Sequence, residues 1–266
     1  MLLDASLRNF DPDRITSPAI ALRVETTRND NETPVHQHRK GQLVLALRGA
    51  ISCEVPHALW MVPPNCAVWV PGAMPHSNRV TPNARICLLF VEPGATALPH
   101  SCCTLAISPL VRELIQHLAD QPHEYAADSA TGRVARVLLD ELPNMPVEQL
   151  HLPISDEPRI RHIADALTRN PADRATLPEW AARVATSERT LARLMLRETG
   201  LTFGRWRQQL QLLVALRRLA AGASVQQVSA ELGYESVTAF ITMFKKALGR
   251  PPGKYLTSLT RTRTSG

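Results

Sequence analysis

Two copies of one pattern, a short helix, a tight turn and a second helix, restrict how the C-terminal half of this 266-residue chain can fold. The copies span residues 177–200 and 224–249, and a serine N-cap, Ser187 or Ser236, begins the second helix of each. The serines lie 49 residues apart, and a strong helix-forming segment, residues 206–222, runs between them. The pattern therefore predicts an all-helical domain with two helix-turn-helix units joined by a long helix.

The second helix of the first copy has two chemically different faces. Leu191, Leu194 and Met195 share its apolar face, and arginines occupy most of the opposite face. Such a helix can pack its apolar side on its partner helix and place the other side in the DNA major groove, where arginine hydrogen-bonds guanine. The predicted DNA-binding residues are Ser187, Arg189, Thr190, Ala192, Arg193 and Arg197 in the first unit, and Ser236, Val237, Thr238, Thr242 and Lys245 in the second.

The charge of the chain is concentrated in the same half. Residues 1–150 carry 12 Lys and Arg against 15 Asp and Glu, net −3, whereas residues 151–266 carry 18 against 9, net +9. This distribution predicts that the C-terminal half alone meets a polyanion such as double-stranded DNA. A generic basic helical bundle is the alternative, but it does not account for two helix-turn-helix units in tandem.

The C-terminal half resembles the DNA-binding domain of the AraC/XylS family of transcriptional regulators over residues 165–256. The segments that carry the resemblance are LARLMLRETGLTFGRWRQQLQLLVALRRLAAG and VSAELGYESVTAFITMFKKALGRPPGKYL. The resemblance implies seven helices and two helix-turn-helix units, called readers below, that contact successive major-groove segments of a promoter or operator. It also makes RNA polymerase a candidate partner.

The same resemblance assigns base-facing positions within the two readers. These positions fall on Arg189, Ala192, Arg193, Val237, Thr238 and Thr242. Because the second reader offers only methyl groups and single hydroxyls there, we expect the first reader to carry more of the base discrimination.

The N-terminal half has a different pattern. Residues 35–92 form short apolar runs separated by proline, glycine and asparagine, which is typical of a β-sandwich or small barrel. Two amphipathic helices are predicted over residues 108–121 and 131–142, and a proline-rich linker follows them. We therefore expect an α+β protein with two domains, residues 1–152 and 153–266.

A cluster of candidate metal ligands lies in the first domain. The spacing of His36, His38, Gln42, Gly49, Pro71, Ala73 and His76 resembles the two cupin motifs, with Gln42 in the usual place of glutamate and Ala73 in that of glycine. The resemblance implies a cupin-like β-barrel that gathers three imidazoles and an amide oxygen. This set could hold Zn²⁺, Ni²⁺ or Fe²⁺, more weakly than with a carboxylate at position 42. The alternative is that the histidines line a pocket or end strands without metal.

The first domain is also the expected site of a small-molecule effector. Trp60, Trp69 and Met74 lie on or beside strands that should line the barrel, so they either contact the effector or fill the core. Arg39 and Lys40 follow the histidine pair, and they either attract an anionic ligand or form a solvated edge.

The two predicted helices of the first domain have two possible roles. Helices 108–121 and 131–142 could form a homodimer, laid antiparallel with Leu110, Leu114 and Leu118 at the seam. Alternatively, they pack on their own sheet.

Several features of the sequence indicate the cellular compartment of the protein. The sequence has no apolar run of the ~20 residues that a membrane helix needs, and its N-terminus does not resemble a signal peptide. We therefore expect a cytoplasmic protein that does not associate with a membrane. Five cysteines without a C-x-x-C spacing fit a reducing compartment and leave the role of Cys102 and Cys103 open. Residues 261–266 are expected to be disordered.

Two other functions fit part of the sequence. A metal-dependent cupin enzyme with a helical appendage would explain the histidines but not the tandem readers, and the chain has no H-E-x-x-H or G-x-S-x-G motif. A non-specific DNA-compacting protein would spread its basic charge around the domain. We therefore expect a sequence-specific, DNA-binding transcriptional regulator that is not an enzyme, with its effector, target promoter and direction of regulation left open.

Overall fold

The computed structural model describes residues 10–25, 31–48, 51–62, 66–80, 84–148 and 151–255. The chain divides into two compact units, Met1–Pro56 with Trp60–Leu150, and His57–Leu59 with His151–Gly266. The first unit contains strands and two helices and the second is mainly helical, so the predicted two-domain α+β class is confirmed. The boundary after residue 152 stays a prediction. Gly49 of the first cupin motif and the expected disorder of residues 261–266 fall outside the described residues.

The strands form two sheets. The strands are β1 (Ala19–Glu25), β2 (Asn31–Glu32), β3 (Gly41–Arg48), β4 (Ile51–Val55), β5 (Ala58–Val62), β6 (Cys66–Val70), β7 (Ser77–Val80), β8 (Arg85–Val91), β9 (Cys103–Ala106), β10 (Val147–Glu148) and β11 (His151–Pro153). The first sheet has the order β1-β8-β3-β6-β9-β10, and the second includes β5-β4-β7-β2. The described strands of the first unit therefore lie in two separate sheets, and the closed barrel that the cupin resemblance implies is not shown.

Side-chain alternation along β3 gives the first sheet two buried faces. Leu43 and Leu45 belong to the hydrophobic cluster that includes the two helices of this unit. Gln42 and Val44 alternate with them and point to the opposite face, and both are buried. The antiparallel register places Gln42 opposite Phe90, so a polar side chain is inserted into an otherwise apolar face.

Two capped helices cover the first sheet. They are α1 (Pro109–Leu118) and α2 (Ala130–Glu141), and their N-caps Ser108 and Ser129 accept hydrogen bonds from the backbone three residues on. Ile115 and Leu138 are fully buried in the cluster that contains Leu43 and Leu45.

The segment expected to be an unstructured linker is partly extended. A 3₁₀ turn spans Leu142–Asn144, and β10 follows it with Ala106 N donating to Pro146 O at 2.8 Å. The prolines are compatible with this arrangement because β10 is an edge strand, where a missing N–H costs no ladder bond.

The second unit contains the helices predicted from the tandem pattern. They are α3 (Pro158–Arg169), α4 (Leu177–Arg183), α5 (Glu188–Thr199), α6 (Phe203–Ala220), α7 (Val225–Glu231) and α8 (Val237–Leu248), and residues 252–255 are also helical. No helix in the described part of the chain combines the length and apolar character that a bilayer crossing requires.

A row of aromatic rings stabilises the last helices. Phe240 of α8 is fully buried, and its ring centroid lies 5.6 Å from that of Tyr234 and 5.8 Å from that of Phe244. Phe244 in turn lies 5.6 Å from Tyr255. Ring pairs at these separations add to the free energy gained by burial alone.

We expect Phe240→Ala to lower the free energy of unfolding by about 3–5 kcal/mol, because it leaves a cavity between two rings. Thr238→Ala, two residues earlier on the exposed side of α8, should change it by less than about 0.5 kcal/mol. Urea unfolding of the full chain followed by circular dichroism measures both. A similar loss in the two variants would show that the aromatic row does not stabilise this unit.

Candidate nucleic-acid interface and histidine site

The first reader consists of α4, a turn and α5. Helix α4 begins with a capping box in which Thr176 N and Oγ1 both donate to the Glu179 carboxylate, at 2.6 and 2.8 Å. In the turn, Ala185 has a φ of 51°, in the left-handed region, and Thr186 N donates to Ala181 O at 2.9 Å. This turn fixes the direction in which α5 leaves α4.

Helix α5 presents the faces expected of a recognition helix. Its N-cap Ser187 accepts a hydrogen bond from Thr190 N at 3.2 Å and donates its hydroxyl hydrogen to Thr190 Oγ1 at 2.8 Å. The predicted apolar side chains are buried, namely Leu191, Leu194 and Met195. Arg189, Ala192, Arg193 and Arg197 are all exposed, so the structure places them together on the opposite side.

Two of these arginines have free guanidinium groups. Arg197 pairs with Glu198 at 2.8 Å, whereas Arg189 and Arg193 form no side-chain ion pair with any other described residue. A free, exposed guanidinium retains all five donors for a base edge or a phosphate. The first reader therefore presents, on one helix face, two guanidinium groups that form no ion pair with another described residue.

The second reader repeats the arrangement with less polar residues. Gly233 adopts a φ of 73° in the turn between α7 and α8, and a Cβ built there would lie 3.1 Å from Ala172 O. The N-cap Ser236 accepts from Ala239 N at 3.1 Å. On the outer side of α8, Thr238, Thr242 and Lys245 are exposed, and Val237 is half-buried.

One of these threonines has already used its donor. The hydroxyl of Thr242 donates to Thr238 O at 2.9 Å. It therefore offers a base edge only an acceptor and a methyl group, which agrees with the expectation that the second reader discriminates less.

Helix α6 holds the two readers. Its 18 residues span about 27 Å, and its apolar side buries Trp206, whose Nε1 donates to Pro153 O at 2.9 Å. Arg218 forms a two-point ion pair with Glu231 of α7, and Arg207 donates to Ala175 O at 3.0 Å, just before α4. Side chains of one helix thus bond to the segment just before α4 and to α7.

The histidine site of the first unit brings the predicted ligands together. His36 and His76 form a backbone bridge, each N donating to the other's O at 2.9 Å. Candidate ligand atoms of His36, His38 and His76 all lie within 4.8 Å of one another. Gln42 Oε1 lies 3.0 Å from His38 Nε2 and 2.7 Å from His76 Nε2. All four predicted ligands therefore converge from segments that are distant in sequence.

The hydrogen bonds of the three rings fix their tautomers. His36 Nδ1 lies 2.9 Å from Pro34 O, His38 Nδ1 2.5 Å from Lys40 O, and His76 Nδ1 2.9 Å from Met74 O. A carbonyl oxygen only accepts, so each Nδ1 carries the hydrogen, and in the neutral ring Nε2 is then an acceptor. Burial, together with the nearby His36 and His38, lowers the pKa of His76 to about 4, so this ring is neutral at pH 7.

With neutral rings, the centre of the site contains acceptors without a donor. The amide oxygen of Gln42, itself 1% exposed, faces two ring nitrogens that also accept. Either a cation lies among them, or the amide is turned so that its NH₂ group donates to both rings. As a set of metal ligands, three imidazoles and an amide oxygen suit a divalent cation that prefers imidazole.

The position of Lys40 agrees with neither of the two roles predicted from the sequence. It is neither a solvated residue nor an attractor for ligands, because its side chain is fully buried and its Nζ donates to Ser17 O at 2.9 Å and to the Glu92 carboxylate at 2.7 Å. Arg39 also pairs with Glu92. This network fixes the backbone that supports His38, since Lys40 O accepts from the His38 ring.

The three residues predicted to line an effector pocket do not line one cavity together. Trp69 lines a cavity of about 870 Å³ with Pro99 and Leu142, and its Nε1 donates to Pro99 O at 2.8 Å. Trp60 is buried on β5, and Met74 contacts Cys102 with its Sδ 3.1 Å from the thiol sulfur. Neither of these two lines the Trp69 cavity or the cavity at the histidines.

The cysteines are free thiols in this structure. Burial raises the pKa of Cys102 to about 12 and that of Cys103 to about 11. Neither thiol is ionised at neutral pH, so this environment does not make them reactive.

Asn78 is the site residue that the sequence reasoning missed. It lies on β7 two positions after His76, is 3% exposed, and its Oδ1 has no hydrogen-bond partner among the described residues. The alternation of strand side chains was the available signal, because it places residues 76 and 78 on one face.

Comparison with known proteins gives a consistent result for the second unit. A family model described as "Helix-turn-helix domain" matches residues 180–258. The chain is 52% identical over 260 residues to the HTH-type transcriptional regulator NimR of Escherichia coli (strain K12), a match that covers 98% of this chain and 95% of that protein.

Two more distant similarities accompany this one. The HTH-type transcriptional regulator RipA of Corynebacterium glutamicum is 29% identical over 133 residues, covering 50% of this chain and 38% of that protein. A crystal structure of ToxT from Vibrio cholerae has a TM-score of 0.39 and 10% identity, and covers 91% of this chain and 98% of that chain.

Proposed function

The chain belongs to the AraC family of transcriptional regulators, and we propose that its two readers bind successive major-groove segments of a promoter under the control of the N-terminal unit. It is a DNA-binding regulator and not an enzyme, as its full-length similarity to a transcriptional regulator indicates. The proposal concerns the residues that read DNA, the occupant of the N-terminal unit and the partners of the chain.

The pair of unpaired arginines on α5 is the observation that carries the DNA-binding proposal. Arg189 and Arg193 are exposed, whereas Arg183 and Arg218 of the same unit are bound in ion pairs at 2.7 and 2.5 Å. Unpaired cations on the side of α5 away from its core are suited to bases and phosphates. Lys245 and Thr238 occupy the equivalent side of α8 and support a smaller contribution.

For the N-terminal unit we propose a divalent cation, Zn²⁺, Ni²⁺ or Fe²⁺, held by His36, His38, His76 and Gln42. The convergence of acceptors without a donor supports this, and the backbone carbonyls that orient the three rings act as a second shell. When bound, such a cation would supply a positive charge that links the two sheets. Beside it we propose the site of a small-molecule effector.

We also propose a homodimer through α1 and α2. Leu110 is 52% exposed and Val137 is 45% exposed, on the outer sides of these helices. Leu118, expected at the seam, is instead buried in the core of its own unit, so the proposed seam is built on Leu110 and Val137. RNA polymerase remains a proposed partner, since a regulator bound at a promoter acts where polymerase binds.

We expect Arg193→Ala to weaken binding by about 1–3 kcal/mol, specifically at one base pair of the cognate site. The site is first recovered by in vitro selection from random duplexes, and affinities are then measured by fluorescence anisotropy at fixed salt. Arg85→Ala is the matched control, because it removes the same charge from the exposed surface of β8. Equal binding by wild type and Arg193→Ala would remove Arg193 from the reader.

We expect the full chain to bind Zn²⁺ in isothermal titration, and His76→Ala to abolish this binding. Gln42→Glu should tighten it on the order of tenfold, because it adds a carboxylate charge to the ligand set. His162→Ala, at an exposed histidine of α3, serves as the control. If His76→Ala and wild type bind equally, the histidine site holds no metal.

We expect Leu110→Glu to convert the dimer into a monomer in sedimentation experiments at micromolar protein, because a carboxylate would enter an apolar seam. Leu196→Glu changes a leucine of similar exposure, 54%, on α5 and should leave the dimer intact. A wild-type monomer at this concentration would contradict the proposed interface.

A further inference from the structure

A second cavity opens beside the three histidines. This histidine-side cavity has a volume of about 690 Å³, a size typical of small-molecule sites. Its lining residues are Phe10, Asp11, Pro12, Asp13, Thr33, Pro34, His36, Gln37, His38, Gln42, Asn78, Ile86, Leu88 and Phe90. They come from the segment before β1, from the residues before β3, and from β3, β7 and β8.

One wall of this cavity is apolar for a reason visible in the sheet. Ile86, Leu88 and Phe90 alternate along β8, so their side chains share one face, and register places Phe90 opposite Gln42. The ring of Phe10 adds to this wall, with its centroid 5.6 Å from that of Phe90. A flat hydrocarbon or aromatic body would bury apolar area against it.

The opposite side contains a buried polar atom without a partner. The main chain of Asn78 is satisfied, since Asn78 N donates to Thr33 Oγ1 and Thr33 N donates to Asn78 O, both at 2.9 Å. Its side-chain Oδ1 is buried and has no partner among the described residues. Such an atom destabilises the fold unless something donates to it, and the side chain lines the cavity.

The carboxylates that line the cavity already have partners within the chain. Among the described residues that line the cavity there is no lysine or arginine, and the charged side chains are Asp11 and Asp13. Asp11 pairs with Arg14 at 3.2 Å, and Asp13 accepts from Arg39 N at 2.6 Å and from Lys40 N at 3.0 Å. The carboxylates of the lining therefore need no donor from a ligand, whereas Asn78 Oδ1 does.

We propose that the histidine-side cavity binds a small, largely apolar molecule that donates a hydrogen bond from an N–H or O–H group to Asn78 Oδ1. This inference rests on the proposed effector role of the N-terminal unit, and it adds the chemical class of the effector. The apolar body lies against Phe10, Leu88 and Phe90, and the donor reaches Asn78. The Trp69 cavity is a weaker candidate, because the ring nitrogen of Trp69 is already bonded.

Three probes of the same shape test the proposal on the full chain, from which metal is first removed with a chelator. 2-Naphthamide has the aromatic body and an N–H donor, N,N-dimethyl-2-naphthamide has no donor, and 2-naphthoate is an anion. We expect 2-naphthamide to bind at least about tenfold more tightly than either of the others, since one buried hydrogen bond is worth about 1.4 kcal/mol. Isothermal titration and ligand-observed NMR measure the three affinities.

Two variants assign the preference to Asn78. In Asn78→Leu the amide and its dimethyl analogue should bind equally, because the acceptor is gone. Asn144→Leu changes an exposed asparagine after α2 and should keep the wild-type order of affinities. If Asn78→Leu does not fold, the order of the three probes on the wild type decides by itself.

The outcomes separate this proposal from the function of the chain. No binding by any probe, equal binding of the two amides to wild type, or tightest binding of 2-naphthoate overturns the proposed ligand class. The same preparations are tested for binding to the selected DNA site. Retained DNA binding with any of these results contradicts only the ligand class, whereas lost DNA binding contradicts the regulator function.

Discussion

The packing of α6 is the constraint on which the DNA-binding geometry depends. This helix buries Trp206 and a series of leucines, and it bonds through Arg207 to the backbone before α4 and through Arg218 to Glu231 of α7. These contacts tie the segment before α4 and helix α7 to one helix, which curves only gently over its length. The proposed contact with two successive major-groove segments requires such a connection, because half-site spacing on DNA is itself fixed.

In the first unit, the corresponding constraint is a polar side chain on an apolar sheet face. Gln42 alternates with Leu43 on β3, so the pleat turns its amide away from α1 and α2 and toward the residues of β7. There it meets His76, which the backbone bridge with His36 holds in place. Buried polar groups of this kind are stable only as a satisfied set, so the histidine site depends on what completes its hydrogen bonding.

The sequence determined the second unit more fully than the first. Serine N-caps, helical periodicity and basic faces are local signals, and helices α4, α5, α7 and α8 are found where those signals indicate. Pairing of β3 with β8 and of β4 with β7 joins strands that are separated in the chain, and it is set by tertiary packing more than by local propensity. The convergence of His36, His38, Gln42 and His76 was implied by the resemblance of their spacing to the cupin motifs. The division into two sheets, the burial of Lys40 and the position of Asn78 beside the cavity depend on tertiary packing and were not predicted.

The turns of the two readers show how differently similar geometry can be maintained. Ala185 adopts a left-handed φ with an ordinary Cβ, at a cost of about 1–2 kcal/mol, whereas Gly233 has the backbone of Ala172 close to the place that a Cβ would occupy. During divergence, position 185 can therefore exchange side chains at a modest loss of stability. Position 233 is restricted to glycine unless the segment before α4 moves with it, so the second turn is the more reliable landmark for aligning distant members of this lineage.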